Sequence, residues 1–236
     1  MCGLSFEYFI STYKKVGGLY MEENIIEKVE NYIKEVSYGE SSGHDWWHIK
    51  RVYDLSVKIN EEEKQNEFII QMIALLHDIF DDKFSTGDTR ENLINLMKEL
   101  EIYEMINDED RENILHSIVN LGFKGGFNKV QLSKEGQIVQ DADRIDAIGA
   151  IVIARTFAYN GKKGNEIYNP DIGIIEITSE EEYRSKKRHA INHFYEKLLK
   201  IKDSINTDEG KKIAKARTDF MQAYLNEFYE EWNGNK

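Results

Sequence analysis

One proline in 236 residues constrains this chain more than any other feature of its sequence. Ordinary usage of about 5% would supply roughly a dozen. Proline has no N–H to donate and its ring clashes with the preceding turn, so it breaks helix interiors. A chain almost free of it is permitted long helices throughout. Apolar residues do recur at helical spacing nearly everywhere. Ile25, Ile26, Val29, Tyr32, Ile33 and Val36 mark a first helix, and Ile49, Val52, Leu55 and Ile59 share one side of a second that starts near Asp45. Residues 68–80 form the most apolar stretch, and 89–103 and 108–121 follow as further helices. Residues 134–159 carry Ile138, Ala142, Ile145, Gly149, Val152 and Ile153 as a buried stripe. Two more amphipathic helices, 180–201 and 208–232, are opened by Ser179 and Thr207. The expectation is an all-α bundle in a single domain.

Residues 160–179 hold three glycines and Pro170 and are the one long irregular segment. Irregular segments of that length often serve as lids, and a short strand over 172–177 fits within it. The first twenty residues lack a charged leader and a small-residue cleavage site, so they make a poor signal peptide. Met21, followed by Glu22, Glu23 and Asn24, looks like a natural beginning. Residues 1–20 are therefore expected to be an extension and 21–236 the domain.

Charge and cysteine content narrow the function. With 31 basic and 43 acidic side chains the net charge is −12, the wrong sign for a nucleic-acid groove. No apolar run approaches the roughly 18 residues that span a bilayer, so no membrane partner is expected. Cys2 is the only cysteine, which excludes an internal disulfide and points to a reducing, cytoplasmic setting.

Histidine and aspartate carry the chemistry. His77-Asp78 ends the apolar run Ile73-Ala-Leu-Leu76, where an ionisable pair needs compensation, and a metal ion provides it. His48 shares a helical face with Val52, Leu55 and Ile59 and so points inward. Asp143 and Asp146, three apart, lie on one side of their helix. Imidazole with carboxylate suits Mn, Fe, Co, Ni or Zn, and a metal-bound water is a ready nucleophile.

In that order, His48-Ile-Lys-Arg51-Val52, His77-Asp78 and Asp143 resemble the His…His-Asp…Asp pattern of the HD-domain metal-dependent phosphohydrolases. The likeness is greatest to the small stand-alone bacterial members, including nucleotide pyrophosphatases. It extends over His44-Asp-Trp-Trp-His48, Ala74-Leu-Leu-His-Asp-Ile-Phe-Asp-Asp-Lys83, Asp141-Ala-Asp-Arg-Ile-Asp-Ala-Ile-Gly149 and His193-Phe-Tyr-Glu-Lys-Leu-Leu199, and covers residues 22–232. The resemblance implies an HD-domain helical bundle holding one divalent ion on His48, His77, Asp78 and Asp143. Manganese is the first choice among Mn, Mg, Co, Ni, Fe and Zn. Many members carry an acid three residues after the dyad, usually Glu; here it is Asp81, one methylene shorter, which either shuttles a proton or orients water. Arg51, Lys83 and Arg144 are the candidate phosphate contacts, with Asp146 and His44 beside them and Arg155 a weaker candidate. The implied reaction is hydrolysis of a nucleoside triphosphate to monophosphate and pyrophosphate, and a homodimer is compatible with the sequence.

Other readings stand beside this one. A two-iron oxygenase on the same fold would need further ligands, which His44 and His116 alone could supply. A non-catalytic nucleotide-binding module would normally have lost a ligand. His189 and His193 form a second i, i+4 pair, but Ala190, Phe194 and Leu198 around them favour core packing. Trp46 and Trp47 read as core and rim. Gly39-Glu-Ser41-Ser-Gly43 fits the nucleophile-elbow spacing but follows a helical run where a strand is required.

Overall fold

The computed structural model describes residues 6–38, 45–80, 87–122, 130–174 and 189–236, with side chains from residue 18 onward. All regular structure among them is helical: α1 (Phe6–Ser37), α2 (Trp46–Glu63), α3 (Glu67–Leu76), α4 (Thr89–Glu99), α5 (Asp108–Asn120), α6 (Lys134–Asp146), α7 (Ala150–Lys163), α8 (Ala190–Glu196) and α9 (Asp208–Trp232). Single 3-10 segments lie at Tyr103–Met105 and Leu198–Ser204. Helix starts follow the sequence signals. Asp45, Asn66, Asp88, Asn107 and Thr207 each accept a hydrogen bond from the backbone of the first turn that follows, and each such cap contributes about 1 kcal/mol.

The chain divides into two compact units, Met1–Val139 and Gln140–Lys236, with the boundary inside α6. In the first unit α3 is the central element. From Phe68 to Leu76 only Gln71 escapes burial, and α3 packs against α1, α2 and α5. That explains its near-continuous apolar run, since a helix covered on several sides needs no polar face. In the second unit α7 packs against α8 and α9, around Val152, Ile153, Phe194, Ala214, Met221 and Leu225.

Several element boundaries differ from the periodicity reading. α1 runs unbroken through Met21, so the helix does not begin at the expected start of the domain. α3 stops at Leu76 and residues 77–80 form a turn, which takes His77 and Asp78 off the helix end into a bend. The expected helix 134–159 is two helices, because Gly149 adopts φ 97° between them. A side chain is strained at that φ, and a Cβ would meet Arg217 at 3.2 Å. Its place on the apolar stripe hid the break. Helix four ends at Glu99 instead of 103, followed by Glu101 at φ 55°. The expected helix 180–201 is described only from residue 189, as α8 and then the 3-10 segment; its start at Ser179 lies outside the described residues.

The irregular segment is tied down over its described part. Ala190 N–H donates to the Glu166 carbonyl at 3.0 Å and Ile191 N–H to that of Ile167 at 3.2 Å. Asn192 Nδ2 donates to the Gly173 carbonyl at 3.1 Å. Tyr168 is ringed by His189, Phe228, Tyr229 and Trp232 at centroid distances of 4.9–5.7 Å. Residues 164–174 are therefore a strap fixed to the base of α8 and the end of α9, where a free lid had been expected. No strand forms over 172–174, and 175–177 lie outside the described residues.

Candidate metal centre

His48 stands in the first turn of α2 because Asp45 caps that helix, its Oδ1 accepting the His48 N–H at 2.9 Å. The side chain is buried on the inner face with Ile49, Val52 and Ile59, as the spacing predicts. His77 and Asp78 come from the turn that ends α3. His77 Nδ1 donates to the Ala74 carbonyl at 2.8 Å. This fixes the tautomer, so that Nε2 carries its lone pair outward toward the rest of the cluster.

Three donor atoms then converge. The Nε2 atoms of His48 and His77 are 3.3 Å apart, and Asp78 Oδ2 lies 3.4 Å from the first and 3.8 Å from the second. The side chains are 7%, 2% and 14% exposed, respectively. They form the one group of three potential ligands gathered this closely among the described residues. Two imidazole lone pairs and a carboxylate brought together in a half-dry setting repel one another unless a cation or proton lies between them. A point equidistant from the three atoms lies about 2.0 Å from each, which is the bond length of imidazole and carboxylate to a small divalent ion. The donor set and spacing fit a first-row divalent metal. The three ligands also leave coordination positions for other groups.

The other sequence candidates divide. Asp143 is half-buried on α6, within the second unit. Arg51 is half-buried on α2, three residues after His48. Arg144 turns to its own unit: Nη1 donates to the Ser204 carbonyl, and burial pulls its pKa below the usual guanidinium value while Asp141 and Asp143 oppose that. Asp146 is buried, and its Oδ2 lies 3.9 Å from Arg155 Nη1, a half-exposed guanidinium. His44, Asp81 and Lys83 lie outside the described residues.

His189 resolves as a structural histidine. Its Nδ1 accepts the Asn192 N–H at 3.2 Å, capping α8, and Nε2 donates to the Ile172 carbonyl at 3.3 Å. Burial holds its pKa below the ordinary imidazole value. His116 is exposed on α5 and is not one of the three gathered side chains. Trp46 is buried and Trp47 is 59% exposed, the expected core and rim. Periodicity missed the Ala74 carbonyl that orients His77. It also missed Asp141, which is fully buried within the second unit, although the Asp-Ala-Asp spacing carries the signal, because residues two apart on a helix face opposite ways.

The family model for the HD domain matches residues 46–148, the span from the start of α2 to just past α6. Among curated proteins, the uncharacterised protein YpgQ of Bacillus subtilis is 34% identical over 210 residues, covering 88% of this chain and 94% of that protein. Among solved structures, an HD-superfamily hydrolase from Bacillus thuringiensis is 39% identical with a TM-score of 0.73, covering 90% of this chain and 98% of that one. Bacillus subtilis YpgQ in complex with ADP is 33% identical with a TM-score of 0.67, covering 89% and 96%. The chain belongs to the HD-domain superfamily of metal-dependent hydrolases.

Proposed function

We propose that this HD-domain chain hydrolyses nucleotides, converting a nucleoside triphosphate to a monophosphate and pyrophosphate. The observation that carries the reading is the convergence of His48 Nε2, His77 Nε2 and Asp78 Oδ2 within 3.3–3.8 Å of one another. That a related protein from Bacillus subtilis was crystallised with ADP supports a nucleotide as the substrate class.

In this reading His48, His77, Asp78 and Asp143 hold one divalent ion, with manganese favoured over Mg, Co, Ni, Fe and Zn. Bound there, the ion supplies Lewis acidity at phosphate oxygens and an acidified water. The chain supplies the rest. Ala74 fixes the His77 tautomer through Nδ1. Arg51 and Lys83 take up charge developing on the phosphates. Arg144 is engaged with Ser204, so its contribution is to the phosphate field more than to direct contact. Asp81 orients the attacking water or takes its proton, and His44 contacts the substrate. Asp146 acts by holding Arg155, whose guanidinium reaches solvent. A chain of net charge −12 repels a free triphosphate, so capture relies on these few cations or on a nucleotide that arrives with metal. The catalytic domain is taken as residues 21–236, with 1–20 as an extension.

The test is a panel of ribo- and deoxynucleoside triphosphates and diphosphates with Mn, Mg, Co and Ni in turn, reading phosphate and pyrophosphate separately. Pyrophosphate as the first product supports the reading. Phosphate alone points to stepwise removal, and no turnover with any metal overturns it.

A further inference from the structure

The two imidazoles of the metal cluster lie at opposite ends of their helices and are held in different ways. His77 follows the buried residues Ala74, Leu75 and Leu76 at the end of α3, and its ring is fixed through Nδ1 to the Ala74 carbonyl. His48 is the third residue of α2. It stands in the first turn, where backbone N–H groups lack an intrahelical acceptor and helices fray. Asp45 supplies the acceptors. The His48 N–H is shared between Asp45 Oδ1 at 2.9 Å and the Asp45 carbonyl at 3.0 Å, and the Ile49 N–H reaches the same carbonyl at 3.2 Å. Beside them in this turn Trp46 is buried, with Lys34 Nζ of α1 5.9 Å from the centre of its ring.

Other helices of the described residues carry caps of the same kind, but there the N–H taken up belongs to Ile69, Glu91, Asp110 or Gly210. None of these is in the cluster. At α2 the capped amide is that of a cluster residue itself. The consequence is one of leverage. An imidazole Nε2 stands roughly 6 Å from its Cα, so a tilt of about 10° displaces it by about 1 Å, against a tolerance of about 0.5 Å in a preorganised site. When the first turn frays, His48 Nε2 leaves the position that faces His77 Nε2 and Asp78 Oδ2, and an ion must re-form the turn in order to bind. A protein whose competent form is only partly populated binds with an affinity reduced by that fraction.

We propose that Asp45 is a positioning residue of the metal centre, holding His48 Nε2 in place against His77 and Asp78 through its cap on α2. The inference rests on the reading of His48 as a ligand. Asp45 acts as a hydrogen-bond acceptor and not through its charge. Asn and Ser cap as well as Asp does, whereas Ala has no acceptor to offer.

The experiment is calorimetric titration of the full-length, metal-free protein with manganese chloride, with amide exchange in the first turn of α2 followed in parallel by NMR. Asp45→Ala weakens manganese binding by about tenfold, the loss that a missing cap produces. It also speeds exchange of the His48 and Ile49 amides, which manganese slows again. Asp45→Glu keeps the charge but is a methylene too long to cap; it behaves like Asp45→Ala and replaces it if that variant fails to fold. Asp45→Asn and Asp45→Ser bind within about twofold of wild type. Asn107→Ala removes the cap of α5, which holds no cluster residue; it lowers Tm but leaves manganese affinity unchanged. Wild-type affinity in Asp45→Ala, or an equal loss in Asn107→Ala, overturns the proposal and leaves the cap purely structural. An equal loss in Asp45→Asn overturns it too, because the charge would then be at work. His48→Ala separates the two readings. If it loses manganese while Asp45→Ala does not, positioning alone fails. If it binds normally, His48 is no ligand and the inference falls with it.

Discussion

His77 and His189 are both enclosed, yet their ring nitrogens are used differently. At His189 one nitrogen accepts the Asn192 N–H and the other donates to the Ile172 carbonyl, so both are spent on backbone. At His77 only Nδ1 goes to a carbonyl; Nε2 faces His48 Nε2 and Asp78 Oδ2. The first arrangement closes on itself and needs nothing further. The second concentrates lone pairs that call for a cation. Burial alone does not separate a structural histidine from a ligand; the destination of its second nitrogen does.

The largest effect expected from this contrast is on metal binding. Asp78→Ala abolishes turnover and weakens manganese binding by more than about 100-fold, beyond the loss of an outer partner, as read by metal analysis and calorimetry. His189→Ala keeps both. Loss of metal from the His189 variant would break the comparison.

Next comes stability with and without metal. At manganese about 100 times Kd, the native state gains about 2.7 kcal/mol, seen as a rise in Tm. That rise disappears in Asp78→Ala and persists in His189→Ala. A rise in both would place the bound ion elsewhere.

His189→Ala then pays in folding what it spares in chemistry. It removes the side-chain cap from the Asn192 N–H, which keeps only the His189 carbonyl at 3.2 Å, and costs about 1 kcal/mol, measured by urea unfolding. The described strap, residues 164–174, loses its Ile172 tie in the same variant, so proteolysis there accelerates.

The smallest effect is the pH dependence that His189 contributes. Burial lowers its pKa in the fold, so between that lowered value and the unfolded value of about 6.5 the unfolded chain binds more protons. The stability it provides is full above about pH 6.5 and is lost as pH falls through the folded pKa. Comparing the pH slope of unfolding free energy in wild type and His189→Asn isolates the contribution; equal slopes would show that the imidazole is not held neutral.

Much of this was legible in the sequence. His48 was placed by its spacing from Val52 and Ile59, both fully buried, and the caps at Asp45 and Thr207 fall where short polar side chains precede apolar periodicity. The helix end at Leu76 and the break at Gly149 were not legible, because both lie in phase with the apolar stripe and periodicity does not register a turn that keeps its residues buried. Nor could the strap be foreseen. A glycine-rich segment reads as free until Tyr168 is seen enclosed by residues some sixty positions further on.

By itself the sequence determined the helical class, through the near-absence of proline, and the identity and order of the candidate ligands, through residue type and spacing. Those are local properties, carried by a few neighbouring residues at a time. Only the tertiary structure decided which imidazole nitrogens meet, that Arg144 answers Ser204, and that a buried Asp141 grips the turn before α9. Each depends on pairs of residues 29 to 66 positions apart, and hydrogen-bond geometry of that kind is set by packing, which no local pattern encodes.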